Sequence, residues 1–184
     1  MSINRLTRAR VEPDPALLDR LREQANPIAP HIQATLGRHP ELLAAQTVLF
    51  GAVLRKGRTS RRHRELAILR MGWNCQAEYE FGQHTLMGRA AGVTDEEIYA
   101  LTRPLDEFEW AADDRCLLRM VDELFADDMV SDPTWAELAA HWSVPEILEL
   151  LGTALTYRMV SGLLNTLGVQ LEDGVPGWPS APTG

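Results

Sequence analysis

The strongest constraint in this sequence is its punctuation. Apolar residues recur at spacings of three and four, and nearly every such run lies between a helix-starting and a helix-ending signal. Asp14-Pro15 predicts a first helix through Leu17, Leu18 and Leu21, because aspartate caps a first turn and proline loses nothing at the first helical position. Asn26-Pro27 ends it. A short helix is expected over Ile28 to Leu36, stopped by Gly37. His39-Pro40-Glu41 opens the next, with Leu42, Leu43, Gln46, Phe50, Val53 and Leu54 near period 3.6, and Lys56-Gly57 closes it.

Thr59-Ser60 starts a helix whose pattern weakens at Gly72-Trp73-Asn74 and resumes from Cys75 to Ala91, which predicts two helices or one bent one. Thr94-Asp95-Glu96-Glu97 has the form of a capping box for a short helix to Leu101, ended by Arg103-Pro104. Phe108 to Phe125 reads as one amphipathic helix, and Ser131-Asp132-Pro133 opens another to about Trp142. Val144-Pro145-Glu146 opens the last, which runs to Leu167. That helix is apolar on more than one side and carries Gly152, Ala154 and Gly162, so a central position or a subunit interface is expected. Strand-type alternation is sustained nowhere, and there is no Gly-x-Gly-x-x-Gly, phosphate loop or internal repeat. The expected fold is all-α, a single-domain bundle of about eight helices over residues 1–172. Residues 173–184, rich in glycine and proline, are expected to form a loose tail unless a partner chain pins them.

Composition then excludes function classes. The chain has 184 residues, enough to bury a core without disulfides or a structural metal. Its 18 Lys and Arg against 26 Asp and Glu give a net charge of −8, which argues against binding nucleic acid or an anionic membrane. No run of about 18 uncharged apolar residues is present, so no bilayer span is expected. Met1 to Arg10 has no apolar stretch behind it and does not read as a secretory signal. Cys75 and Cys116 are not a disulfide framework, and a cytoplasmic protein acting on a small molecule is expected.

The densest polar chemistry lies between Arg61 and His84. Glu80 and His84 are four apart and share a helix face. Glu65 lies 19 positions before His84 and meets that face if the chain folds back at Gly72–Asn74. A carboxylate against an imidazole is the minimal apparatus for moving a proton near neutral pH. Arg61, Arg62, Arg64 and Arg70 are candidates to hold an anionic substrate.

The stretches Arg64-Glu65-Leu66-Ala67-Ile68-Leu69-Arg70, Glu78-Tyr79-Glu80-Phe81-Gly82-Gln83-His84 and Gly88-Arg89-Ala90-Ala91-Gly92-Val93 resemble the carboxymuconolactone decarboxylase and alkylhydroperoxidase D (AhpD-like) superfamily. The segments Leu117 to Leu124 and Tyr157 to Asn165 resemble its later helices, so the resemblance covers about residues 40–170. It implies a helical homo-oligomer, a trimer or hexamer, or a dimer, with a Glu/His proton site and no cofactor. The peroxidase branch carries two cysteines between that Glu and His. Here those positions hold Ala77 and Glu80, so the redox pair is absent.

Three readings follow. The first is a cofactor-free acid/base enzyme of the decarboxylase type, acting on a small lactone, carboxylate or carbonyl compound. Its catalytic candidates are Glu65, His84 and Glu80, with Arg61 and Tyr79 as the substrate-binding candidates. The second is a peroxidase-like oxidoreductase using Cys75, alone or with Cys116. The third is a non-catalytic oligomeric binder, whose pocket would be filled by Phe81 or Trp73. Glu65, Glu80 and His84 also form a possible iron, manganese or zinc set, though no metal is assigned. In the blander readings Cys75 is a small buried hydrophobe, Tyr157 is core packing, His63 is exposed, and Asp113-Asp114 lies on a solvated face.

Overall fold

The computed structural model describes residues 6–25, 28–55 and 57–181. Among them are nine α-helices and no strand: α1 Pro15–Arg22, α2 Pro30–Leu36, α3 Pro40–Phe50, α4 Arg61–Asn74, α5 Glu78–Ala90, α6 Asp95–Ala100, α7 Ala112–Asp127, α8 Asp132–His141 and α9 Val144–Leu167. The capping residues act as their types require. Asp14 accepts from the Leu17 amide at 2.8 Å and Ser60 from that of His63 at 3.0 Å, while Thr94 and Glu97 form a reciprocal capping box.

Several boundaries differ from the sequence expectation. Asn26-Pro27 and Lys56 lie outside the described residues. α3 gives way after Phe50 to a π-helical turn, Gly51–Arg55. α7 begins at Ala112 rather than Phe108, behind a 3-10 turn at Leu105–Glu107. Pro104 has no amide hydrogen to continue the preceding helix, and Phe108 and Trp110 pair their rings at 4.6 Å from an irregular lead-in. Their apolarity serves that packing, not a helical stripe.

The central helix is α4, packed against α5, α7 and α9, with every residue from Arg64 to Gly72 buried. The sequence pointed to the more apolar α9 for a central place or a subunit interface, and the central place goes to α4. A charged helix is central because its ions are matched inside the protein. Arg70 makes a two-pronged pair with Asp122 at 2.7 Å and donates to the Leu101 and Arg103 carbonyls. α9 lays Ile147, Leu150, Ala154 and Leu164 into the core and leaves Val144, Leu148, Leu155 and Met159 exposed on its other side. By length and composition it could cross a membrane, but half of its most apolar window is buried in the protein, as for a core helix.

Residues 173–181, expected to be loose, lie across α4 and α5. The Trp178 ring meets Trp73 edge-on at 5.1 Å and Phe81 at 5.2 Å, and its amide donates to Glu78 at 3.2 Å. The chain crosses α5 so closely at Gly82 that a Cβ there would sit 2.2 Å from the Pro176 carbonyl oxygen. Aromatic burial thus overrides the flexibility suggested by composition.

Candidate active site

α4 ends at Asn74, and a three-residue turn with Gln76 in the left-handed region (φ 53°) reverses the chain into α5. The reversal sets α5 against α4 and brings Glu65 to His84. Nδ1 of His84 lies 2.7 Å from Glu65, and Nε2 lies 2.9 Å from Glu80, one turn back on the same helix. All three are buried, at 3–5 % exposure. A neutral ring has one N–H and satisfies one carboxylate, whereas an imidazolium donates to both. Burial disfavours that charge, but the Glu65 carboxylate, then its hydrogen bond and those of Glu80, outweigh burial and hold the ring at about 10. The Tyr157 ring meets His84 edge-on at 4.8 Å and stacks on Phe50 at 5.9 Å.

The cluster lines a cavity of about 490 Å³, within the usual size range for small-molecule sites. Its walls are mostly apolar, among them Ile32, Leu36, Leu43, Leu54, Met87 and Val160. Arg61, in the first turn of α4, also lines it. The four nearby arginines divide clearly. Arg62 pairs with Glu97 and Asp114, Arg64 donates to the Thr59 and Leu54 carbonyls and pairs with Glu149, and Arg70 is held by Asp122. Arg61 alone of the four has no partner among the described residues.

Tyr79 also lines the cavity, but its hydroxyl is already engaged. It donates to Glu172 at 2.6 Å and accepts from the Ile32 amide at 3.4 Å. The other Glu172 oxygen accepts from Gln83 at 2.5 Å. Tyr79 therefore braces the wall through α2, α5 and the chain after α9, and burial pushes its hydroxyl further from ionising.

Gln46 on α3 lines the cavity too, and it is 6 % exposed. Neither its amide nitrogen nor its amide oxygen has a hydrogen-bond partner among the described residues. Leaving one such buried group unpaired costs about 1–3 kcal/mol.

Cys75 is not among the residues lining the cavity. It follows α4 half-buried, and burial raises its thiol above the ordinary value. A reactive thiol needs the opposite shift. Cys116 is also free and is pushed up to about 11, first by burial. Glu65 and Glu80 sit on opposite nitrogens of one ring, so the three side chains do not converge as a metal set would. His63 is not exposed as expected. It pairs with Asp113 at 3.2 Å and meets Trp142 edge-on at 5.3 Å. Asp114, expected on a solvated face, is buried and held by Arg62 at 2.6 Å.

Residues 40–113 match the model of the carboxymuconolactone decarboxylase family. That matched segment carries Glu65, Glu80 and His84. Solved structures share its fold at low identity. A protein of unknown function from Agrobacterium tumefaciens, linked by its description to the antioxidant defence protein AhpD, is 19% identical, with a TM-score of 0.69 over 74% of this chain and 94% of that one. An uncharacterised peroxidase-related protein from Ralstonia eutropha, with an alkylhydroperoxidase AhpD core, is 14% identical, with a TM-score of 0.73 over 86% and 84%. The debrominase Bmp8, as a cysteine-to-alanine variant in complex with 2,3,4-tribromopyrrole, is 16% identical, with a TM-score of 0.71 over 91% and 94%. No curated protein sequence matches the chain.

The structure brings together Glu65, Glu80, His84, Arg61 and Tyr79 and leaves Cys75 outside the cavity lining. Sequence reasoning missed Gln46 and Glu172 and read Tyr157 as core. The spacing of Gln46 marked it only as part of a helical stripe, where a polar residue between apolar ones was the available signal. For Glu172, beyond the last helix, no local signal existed.

Proposed function

We propose that this protein is a cofactor-free acid/base enzyme that moves a proton at a carbon next to a carbonyl or lactone group of a small, largely apolar substrate. One observation carries the reading: a buried imidazole bridges two buried carboxylates on the wall of an apolar cavity. Each carboxylate keeps a second oxygen outside these contacts. A carboxylate facing the substrate takes the proton, the C–H electron pair moves onto the carbonyl oxygen, and the imidazolium beside it stabilises the charge that develops. Return of the proton to the same or another carbon completes an isomerisation. In a decarboxylation the C–C bond to a substrate carboxylate breaks in place of the C–H bond, its electron pair moves onto the carbonyl oxygen as carbon dioxide leaves, and the imidazolium protonates the enolate at carbon. Arg61 receives a substrate carboxylate at the cavity. A homo-oligomer is part of the proposal, with the exposed apolar side of α9 as its contact face.

The thiol reading is disfavoured by the position of Cys75 and by its raised pKa. The purely structural reading is disfavoured by the open cavity, since Phe81 packs in the core and Trp73 against Trp178.

Deuterium exchange at carbon, followed by proton NMR in D2O across a panel of small lactones and 2-oxo acids, tests the proposal. Wild-type protein is expected to exchange at least one substrate, and Glu65→Gln and His84→Gln to abolish exchange while remaining folded. Exchange that persists unchanged in both variants refutes it.

A further inference from the structure

The cavity holds a polar group for which proton transfer has no use. Of the described buried side-chain atoms that lack a partner, two belong to a residue that lines this cavity, Gln46; both are closed off as the side chain stands and meet the cavity when the side chain turns toward it. The other polar residues on its side are committed within the protein. Thr47 donates to the Leu43 carbonyl at 2.8 Å, Gln33 to the Ile28 carbonyl at 2.5 Å, and Gln83 to Glu172. Around Gln46 the wall is apolar, with Leu43 and Phe50 on the same helix and Ile32 and Leu36 opposite. A buried amide is normally paired, and a molecule entering the cavity is the natural source of a partner here.

We propose that Gln46 selects the substrate, and that the substrate offers it a hydrogen-bond donor and an acceptor side by side. A primary carboxamide, a lactam or an enolised hydroxy-ketone does so. A glutamine amide carries donor and acceptor in one plane, so such a group closes a two-bond ring with it. A carboxylate or an ester offers acceptors only and leaves the Gln46 oxygen unpaired. The cavity then has two distinct recognition points. Arg61 takes negative charge, and Gln46 takes a neutral donor–acceptor edge. This selection deepens the proton-transfer reading and rests on it only in treating the bound molecule as substrate.

Calorimetric titration tests it with two probes of matched shape, cinnamamide and methyl cinnamate, against wild type, Gln46→Leu and Glu65→Gln. Wild type is expected to bind the amide at least about tenfold more tightly than the ester. Gln46→Leu is expected to lose about tenfold for the amide, hold the ester within about twofold, and melt no lower than wild type, since it removes an unpaired buried group. Glu65→Gln is expected to keep the amide preference while losing carbon exchange. Equal binding of the two probes by wild type, or no binding of the amide, overturns the proposal. So does a lower melting temperature for Gln46→Leu, which would mean the amide is already paired within the fold. An amide preference that depends on Gln46, without carbon exchange in any form of the protein, upholds the selection while the proton-transfer reading falls.

Discussion

Replacing His84 by glutamine removes the imidazolium that two buried carboxylates share, and its effect on stability can be followed across pH. In the native protein the ring is held at about 10, above its unfolded value near 6.5. Its contribution is therefore complete below pH 6.5 and disappears as the pH rises through 10. In His84→Gln, Glu65 and Glu80 remain in the same dry pocket without a counter-charge, and glutamine supplies a hydrogen bond but no charge. Breaking a buried ion pair by removing one partner costs about 3–5 kcal/mol. For a chain of this size each kcal/mol moves the melting temperature by about 2–4 °C, so the deficit near pH 7 is about 6–20 °C. Toward pH 10 it narrows, because the wild type loses the charge on its ring. Differential scanning calorimetry of both proteins from about pH 6 to 10 should give a gap that is widest at the low end and closes as the pH rises toward 10. A gap constant to within about 2 °C over the whole range would refute the reasoning.

Glu172→Gln is expected to weaken a node that receives the Tyr79 hydroxyl, the Gln83 amide and the His31 backbone amide, lowering the melting temperature by about 2–8 °C. Trp178→Ala is expected to release residues 173–181 from α4 and α5 and to expose their amides, measured as faster hydrogen exchange there and around Gly82. Arg61→Gln is expected to raise KM for an anionic substrate about tenfold or more, with kcat little changed, by steady-state kinetics on the substrate found by exchange. Cys75→Ser is expected to leave carbon exchange at the wild-type rate, since this thiol is not among the residues lining the cavity.

The site chemistry was legible in part because it is local. Glu80 and His84 share one turn of a helix, and the weak pattern at Gly72-Trp73-Asn74 marked the reversal that brings Glu65 to them. The arginines show where that legibility ends. All four lie on α4, yet their roles depend on partners far along the chain: Glu97 and Asp114 for Arg62, Glu149 for Arg64, and Asp122 for Arg70. Arg61 was distinguishable only once those partners were in place. The isolation of Gln46 likewise depends on what surrounds α3.

By itself the sequence determined the all-helical class, because caps, prolines and glycines act on the residues beside them and the helical period is a property of a single segment. It also determined the pairing of His84 with Glu80, because helix geometry converts a spacing of four into proximity. Tertiary structure decided that the charged α4, not the apolar α9, lies at the centre, since burial of charge depends on partners on distant helices. It decided that the segment after Glu172 is packed, since Trp178 finds its neighbours only in the folded bundle. It also made the cavity, because the space between α2, α3, α5 and α9 is a property of their packing and of no single helix.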